Sequence, residues 1–194
     1  MNKLNNKIIY SIIPARSGSK GIKNKNIIKI KGKELIYYSI ETSINSKLIN
    51  KTFVSTDSSK IQKLALKYGA ECPKLRPKKI SKDLSLDIEF CKQFLTDLNK
   101  IKIKLPDIII ILRPTTIFRN SKIIDKMIDE FTSKYESYDS LRVVRKSREN
   151  PFKTWFVRNE RLSPVISNLK NENFNKPRQI LEDTYYQYGY ADII

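Results

Sequence analysis

The run DIIIIL at residues 107–112 sets the strongest limit on the fold. Five successive apolar residues without polar alternation suit a strand buried on both faces, which in an α/β protein means the centre of a mainly parallel sheet. Other segments fit around it. KIIYSIIPA (7–15) reads as the first strand and KTFVSTD (51–57) as the second. Between them Leu35, Ile36, Ser39, Ile40, Ser43 and Ile44 recur at helical spacing. Ser58 and Ser59 can cap a helix carrying Ile61, Leu64, Ala65 and Tyr68, with Gly69 as its stop. Further helices are predicted over LDIEFCKQFLTDLNK (86–100) and through Ile123, Ile124, Met127, Ile128 and Phe131. From Tyr138 shorter strands follow, SLRVVRKS (140–147) and PFKTWFV (151–157), then a polar loop from Leu162 to Pro177. The pattern is that of βα units in one domain spanning 1–194.

Composition narrows the class. The formal charge of +18 implies an anionic partner without choosing among nucleotide, sugar acid and polymer. Lysine is spread along the chain together with Ile and Asn, a bias that an AT-rich genome produces by itself, so nucleic acid is a weak reading. No apolar run reaches the roughly 18–20 residues that span a bilayer, and the start is too short in apolar residues for a signal peptide, which predicts a cytoplasmic protein away from membranes. Cys72 and Cys91, in a chain with no histidine, read as reduced structural thiols and not as a zinc or redox motif.

In an open α/β sheet ligands collect where strands end. Those ends are polar here: Arg16, Ser17, Gly18, Ser19, Lys20 and Gly21 after the first strand, Ser55, Thr56 and Asp57 after the second, and Arg113, Thr115, Thr116 and Arg119 after DIIIIL. The opening loop suits phosphate, since glycines admit close backbone approach while Arg16 and Lys20 supply charge. It is neither a Walker A loop nor GxGxxG, because Gly21 is followed by Ile22 and Lys23. Asp57 suits either a cap or turn, or a site carboxylate. Arg76 and Asp83 could pair on a lysine-rich surface loop. Lys153 could snorkel over Trp155. Tyr185, Tyr186, Tyr188 and Tyr190 suit one packed face of a strand.

The order Ala15, Arg16, Gly18, Ser19, Lys20, Gly21, then Lys25 and Asn26, resembles the opening signature of the acylneuraminate cytidylyltransferases, the CMP-sialic acid synthetase family. Family-like segments continue in order: VSTD (54–57), RP with SKD (76–83), LRPTTIFR (112–119), PFKT (151–154), PRQ (177–179) and YYQYGY (185–190). The resemblance implies a Rossmann-like nucleotidyltransferase fold, a three-layer sandwich, with residues of about 138–180 contributing to dimerisation or the acceptor-sugar region. It implies attack by the anomeric hydroxyl of a nine-carbon sugar acid on the α-phosphate of CTP, with Mg²⁺ as cofactor and a homodimer as assembly. By matching positions, Arg16 and Lys25 would act on the triphosphate, with Ser17, Gly18 and Lys20 in the same loop. Asn26, Arg76, Asp83 and Arg113 would line the nucleotide, and Ser85 would lie near the cytosine. Arg178 would be catalytic or bind the sugar carboxylate, beside Lys153 and Gln179.

Three departures stand out. The family commonly has Gln at Arg113 and Ser-Pro at Thr116-Ile117, and its Asn-Gly pair is Tyr188-Gly189 here. The family's paired aspartates, which hold the metal, would lie beyond Ile194, so the C-terminal part of the fold is expected to be truncated and the metal ligands are unassigned, with Asp57 and Asp192 as the remaining acidic candidates.

Overall fold

The structure, a computed structural model, describes residues 7–19, 21–166 and 174–194. Its strands are β1 (Ile9–Pro14), β2 (Lys29–Ile30), β3 (Lys33–Glu34), β4 (Lys51–Ser55), β5 (Ile108–Ile111), β6 (Leu141–Lys146), β7 (Trp155–Arg158), β8 (Arg161–Pro164) and β9 (Tyr185–Ile193). The helices are α1 (Leu35–Ile44), α2 (Ser59–Lys67), α3 (Asp87–Lys100) and α4 (Ser121–Ser133). The described residues divide into two compact units, one running to Arg142 and resuming at Gly189–Ile194, the other Val143–Tyr188.

The main sheet has the order β4-β1-β5-β9-β6. DIIIIL supplies its middle strand, with every β5 residue buried, as its apolar run predicts. β1 runs parallel to β4 and to β5, whereas β9 joins antiparallel, setting Asp192 opposite Ile111. One face is covered by α3, whose Phe90, Cys91, Phe94 and Leu98 pack on Tyr10, Ile12, Phe53, Ile109 and Ile111. The other face meets α1 through small hydroxyl residues. Ser11 Oγ lies 2.6 Å from Ser43 Oγ, which lies 2.7 Å from Thr52 Oγ1, so these buried polar groups satisfy each other and the helix backbone comes close. Helix on sheet on helix makes a three-layer α/β sandwich.

Local signals explain the element ends. The Ser58 hydroxyl accepts from Ile61 N–H and caps α2, while Gly69 ends it at φ +86°, a left-handed conformation that a side chain would strain. At α3 the Glu89 side chain accepts from Leu86 N–H at 2.7 Å, fixing the first turn. Ile123 departs from the predicted stripe: it is 48% exposed, because α4 buries Ile124, Met127, Ile128 and Phe131 instead.

Both cysteines are free and buried, as their sequence context predicts. Burial pushes the Cys72 thiol up to about 11 and the Cys91 thiol up to about 12. At pH 8 each is thiolate to about one part in a thousand or less, and the thiolate is the nucleophile. Alkylation of the folded chain at pH 8 should therefore leave both unmodified, with two labels appearing in urea. Rapid native labelling, followed by mass spectrometry, would contradict this packing.

In the second unit β7 and β8 form an antiparallel hairpin turned by Asn159 (φ 48°) and Glu160 (φ 59°). β8 corrects the predicted polar loop, which begins after Pro164; positions 167–173 of that loop lie outside the described residues. The Ser147 N–H donates to Thr184 C=O at 2.8 Å and Lys146 pairs with Asp183 at 2.7 Å, joining the unit's entering and leaving segments. All four β7 residues are exposed. The tyrosine row needs correction too. Only Tyr190 is buried, whereas Tyr185, Tyr186 and Tyr188 are exposed, because no buried layer covers that half of β9 among the described residues.

Candidate active site

The loop after β1 is fastened before any ligand is considered. Asp57, just past β4, accepts from Ser17 N–H at 2.7 Å and from the Ser17 hydroxyl at 2.8 Å. Asp57 is thus neither cap nor free carboxylate: it pins the loop, and Ser58 does the capping. Asn26, buried in a short 3₁₀ turn over Lys25–Ile27, donates its side-chain amide to Arg16 C=O at 2.9 Å. Inside the protein nothing demands glycine at Gly18 or Gly21, since a Cβ at either would meet no atom within 4 Å. The open side of the loop is room for something else. Lys20 lies outside the described residues.

Beyond this loop is a pocket of about 200 Å³ lined by Arg16, Lys25, Asn26, Arg76, Lys82, Asp83, Ser85, Asp87, Phe90 and Arg113, among others. Five cations (Arg16, Lys25, Arg76, Lys82, Arg113) stand against two carboxylates (Asp83, Asp87). Sequence-predicted residues from three separate stretches (16–26, 76–85 and 113) meet there, whereas Ser17 and Gly18 stay on the loop without lining it. Arg16 Nη2 pairs with Asp83 Oδ1 at 2.5 Å. The Arg76–Asp83 surface pair expected as one alternative is not formed. Arg76 is 6% exposed and donates to Ser55 Oγ at 3.0 Å and Ser55 C=O at 2.8 Å, with its guanidinium 4.8 Å above the Phe90 ring. Burial lowers its pKa below the usual arginine value. Ser85 is occupied as well: its hydroxyl accepts from Lys82 N–H at 3.1 Å and closes the turn that presents Asp83.

Arg113 bridges two carboxylates, Asp87 at the start of α3 and Asp192 on β9. Burial acts to lower its pKa, but the bonds to Asp192 and Asp87 prevail and hold it above the ordinary value. Behind it Arg119 donates to Thr116 C=O at 2.6 Å, to Arg113 C=O at 2.5 Å and to Tyr190 C=O, and burial pulls its pKa down to about 10. Thr116 Oγ donates to Gly189 C=O at 3.1 Å. The altered Thr116 and the Tyr188-Gly189 step are therefore built into the seam between β5's loop and β9.

The residues expected on the sugar side lie in the second unit. Lys153 Nζ donates to Phe174 C=O at 2.6 Å, beside a Trp155–Phe174 edge contact with ring centroids 5.7 Å apart. Arg178 pairs with Glu149 at 2.6 Å, both largely exposed, and Gln179 follows it in an exposed 3₁₀ turn. Sequence reasoning missed Lys82, Asp87, Phe90 and the roles of Arg119 and Asp192. Asp87 lies in the first turn of α3, where an acid is common for local reasons. Asp192, a lone charge in the apolar YADII, carried a usable signal, since carboxylates are almost never fully buried unless paired.

The residues present do not fit a resident magnesium. Among the described residues no three His, Cys, Asp or Glu side chains gather as a metal-binding group. Both Asp57 oxygens accept from Ser17, and Asp192 is bound by Arg113 on one oxygen with Arg142 3.8 Å from the other. Carboxylates facing N–H and guanidinium groups offer little to a hard cation. A larger cleft of about 510 Å³ between β2–β3 and α2 is lined by Lys29, Lys60, Lys63 and Lys67 with Glu34. Its lysines are exposed, and it reads as a solvated face.

A mainly parallel sheet with a cationic pocket at its strand ends makes this an α/β protein arranged to bind an anionic ligand. A family model described as Cytidylyltransferase matches residues 10–176, and the chain belongs to that family. It is 35% identical over 144 residues to the N-acylneuraminate cytidylyltransferase of Escherichia coli O18:K1:H7 (strain RS218 / NMEC), covering 73% of this chain and 32% of that protein. It is 51% identical over 72 residues to a pseudaminic acid cytidylyltransferase of Campylobacter jejuni subsp. jejuni serotype O:2 (strain ATCC 700819 / NCTC 11168), covering 37% and 31%. These matches span about a third of the relatives' length. A solved CMP:2-keto-3-deoxy-manno-octonic acid synthetase complexed with CTP shares the fold, with a TM-score of 0.67 at 14% identity over 95% of this chain and 73% of that one.

Proposed function

We propose that this chain binds CTP in the Arg16–Arg113 pocket and belongs to an enzyme transferring CMP to the anomeric hydroxyl of a sialic-acid-like sugar acid, with release of pyrophosphate. The observation that carries this reading is the convergence of Arg16, Lys25, Arg76 and Arg113 on one pocket beside a pinned glycine loop. In-line attack on phosphorus requires positioning and charge neutralisation more than covalent help. Arg16 and Lys25 are suited to the triphosphate; among the described residues Lys25 has no carboxylate within ion-pair distance. Arg76, held against Ser55 and Phe90, gives the pocket wall a fixed positive charge. Ser85 and Asn26 hold their turns and shape the nucleotide's surroundings. Arg178, Lys153 and Gln179 would serve the acceptor sugar. A homodimer is supported by the exposed apolar residues of the second unit, including Phe156, Val157 and Leu162. Use of CTP would place the reaction in the cytoplasm.

The test is to supply each nucleoside triphosphate, Mg²⁺ and a panel of nine-carbon sugar acids, and to follow pyrophosphate. Release that requires CTP and one sugar acid is expected. Tight CTP binding without release would reduce the chain to a nucleotide-binding module, and salt-sensitive RNA binding without nucleotide preference would overturn the reading.

A further inference from the structure

We propose that the turn Lys82–Asp87 is a built-in competitor for the anion site, with the Asp83 carboxylate occupying Arg16 until a ligand's phosphate displaces it. The inference rests on the reading of this pocket as a phosphate site, and adds a displacement step to it. Two acids four positions apart face two pocket arginines: Asp83 meets Arg16 at 2.5 Å and Asp87 meets Arg113. The two cations differ in what remains when the turn leaves. Arg113 keeps Asp192, whose side chain is 4% exposed, whereas Asp83 is the carboxylate that meets Arg16 from within the pocket lining. Asp83 therefore carries the competition, and Asp87 contributes less.

The turn is built to yield. Leu84 at its tip is 92% exposed, so apolar packing does not hold it. Two bonds keep its shape, Lys82 N–H donating to the Ser85 hydroxyl at 3.1 Å and Ser85 N–H donating to Lys82 C=O at 3.2 Å, and α3 starts independently from the Leu86–Glu89 tie. The Arg16 and Asp83 side chains are 29% and 30% exposed, so solvent screens the pair and an arriving multiply charged phosphate can break it. An asparagine of the same shape removes both the competitor's charge and its repulsion of the ligand.

Equilibrium titration with inorganic tripolyphosphate, alongside uncharged cytidine, tests this on the whole chain. Asp83→Asn should bind tripolyphosphate about three- to tenfold more tightly than the unaltered chain, with cytidine unchanged. Asp87→Asn should give a smaller gain, and a melting curve checks that both variants fold. Equal or weaker tripolyphosphate binding by folded Asp83→Asn, or a larger gain from Asp87→Asn, overturns the proposal. Arg16→Ala separates it from the underlying reading: if tripolyphosphate binding survives that change undiminished, the phosphate site itself is misplaced.

Discussion

Arg113→Gln is expected to destabilise the first unit by about 1–3 kcal/mol, as weakening the partners of a buried carboxylate does. The carboxylate left behind is Asp192, 3% exposed and placed in the sheet opposite Ile111. Glutamine can donate one hydrogen bond but brings no charge. Arg142 compensates only in part: its Nε is 3.8 Å from the other Asp192 oxygen and its own side chain is 56% exposed. The substitution restores the residue common in the family that this sequence resembles, yet here it should harm the fold, because Asp192 makes Arg113 a counter-ion first. Asp192→Asn should be better tolerated in the Arg113→Gln background than its single effect predicts, giving a coupling well above 0.5 kcal/mol. Urea unfolding of the two single variants and the double variant measures this. Additive effects, or a loss below about 0.5 kcal/mol for Arg113→Gln, would remove the ion pair from the account.

Arg16→Ala should lower CTP-dependent pyrophosphate release by about 10²- to 10³-fold, the usual effect of deleting one preorganised donor aimed at developing charge. Its effect on the fold should be small. The loop does not depend on this side chain, since Asp57 holds Ser17 and Asn26 holds the Arg16 carbonyl, a backbone group that alanine retains. What disappears is a partly exposed pair with Asp83, worth about 0–1 kcal/mol. Turnover and thermal unfolding measured on one preparation separate the two effects. A folded variant with near-normal turnover would exclude Arg16 from the chemistry.

Much of the frame was legible because its signals are local. The apolar runs of β1 and β5, the hydroxyl at Ser58 and the glycine at Gly69 each act within a few residues of themselves. The β2–β3 hairpin was not, since its two-residue strands are joined by a left-handed turn at Lys31 (φ 48°) and Gly32 (φ 81°), too short for any periodicity; of β7–β8 the first strand is legible and the second is not. In the pocket, residue types could be read but their partners could not. Arg16 meets a carboxylate 67 positions away and Arg113 one 79 positions away, pairings that exist only after β9 has joined β5 and the α3 entrance has been set. Asp57 shows the same limit: in the sequence it suits a cap or turn or a site carboxylate, while its bonds reach 40 positions back to Ser17.

That bond has a thermodynamic consequence. A flexible glycine loop that wraps an anion must give up its conformational freedom when the anion arrives, and affinity falls accordingly. Here Asp57 takes two bonds from Ser17 while the chain folds, so the entropy of fixing Ser17 is lost once, at folding, and not again at each encounter. The order of Arg16 and Ser17 belongs to the free protein, and the ligand has that much less to organise.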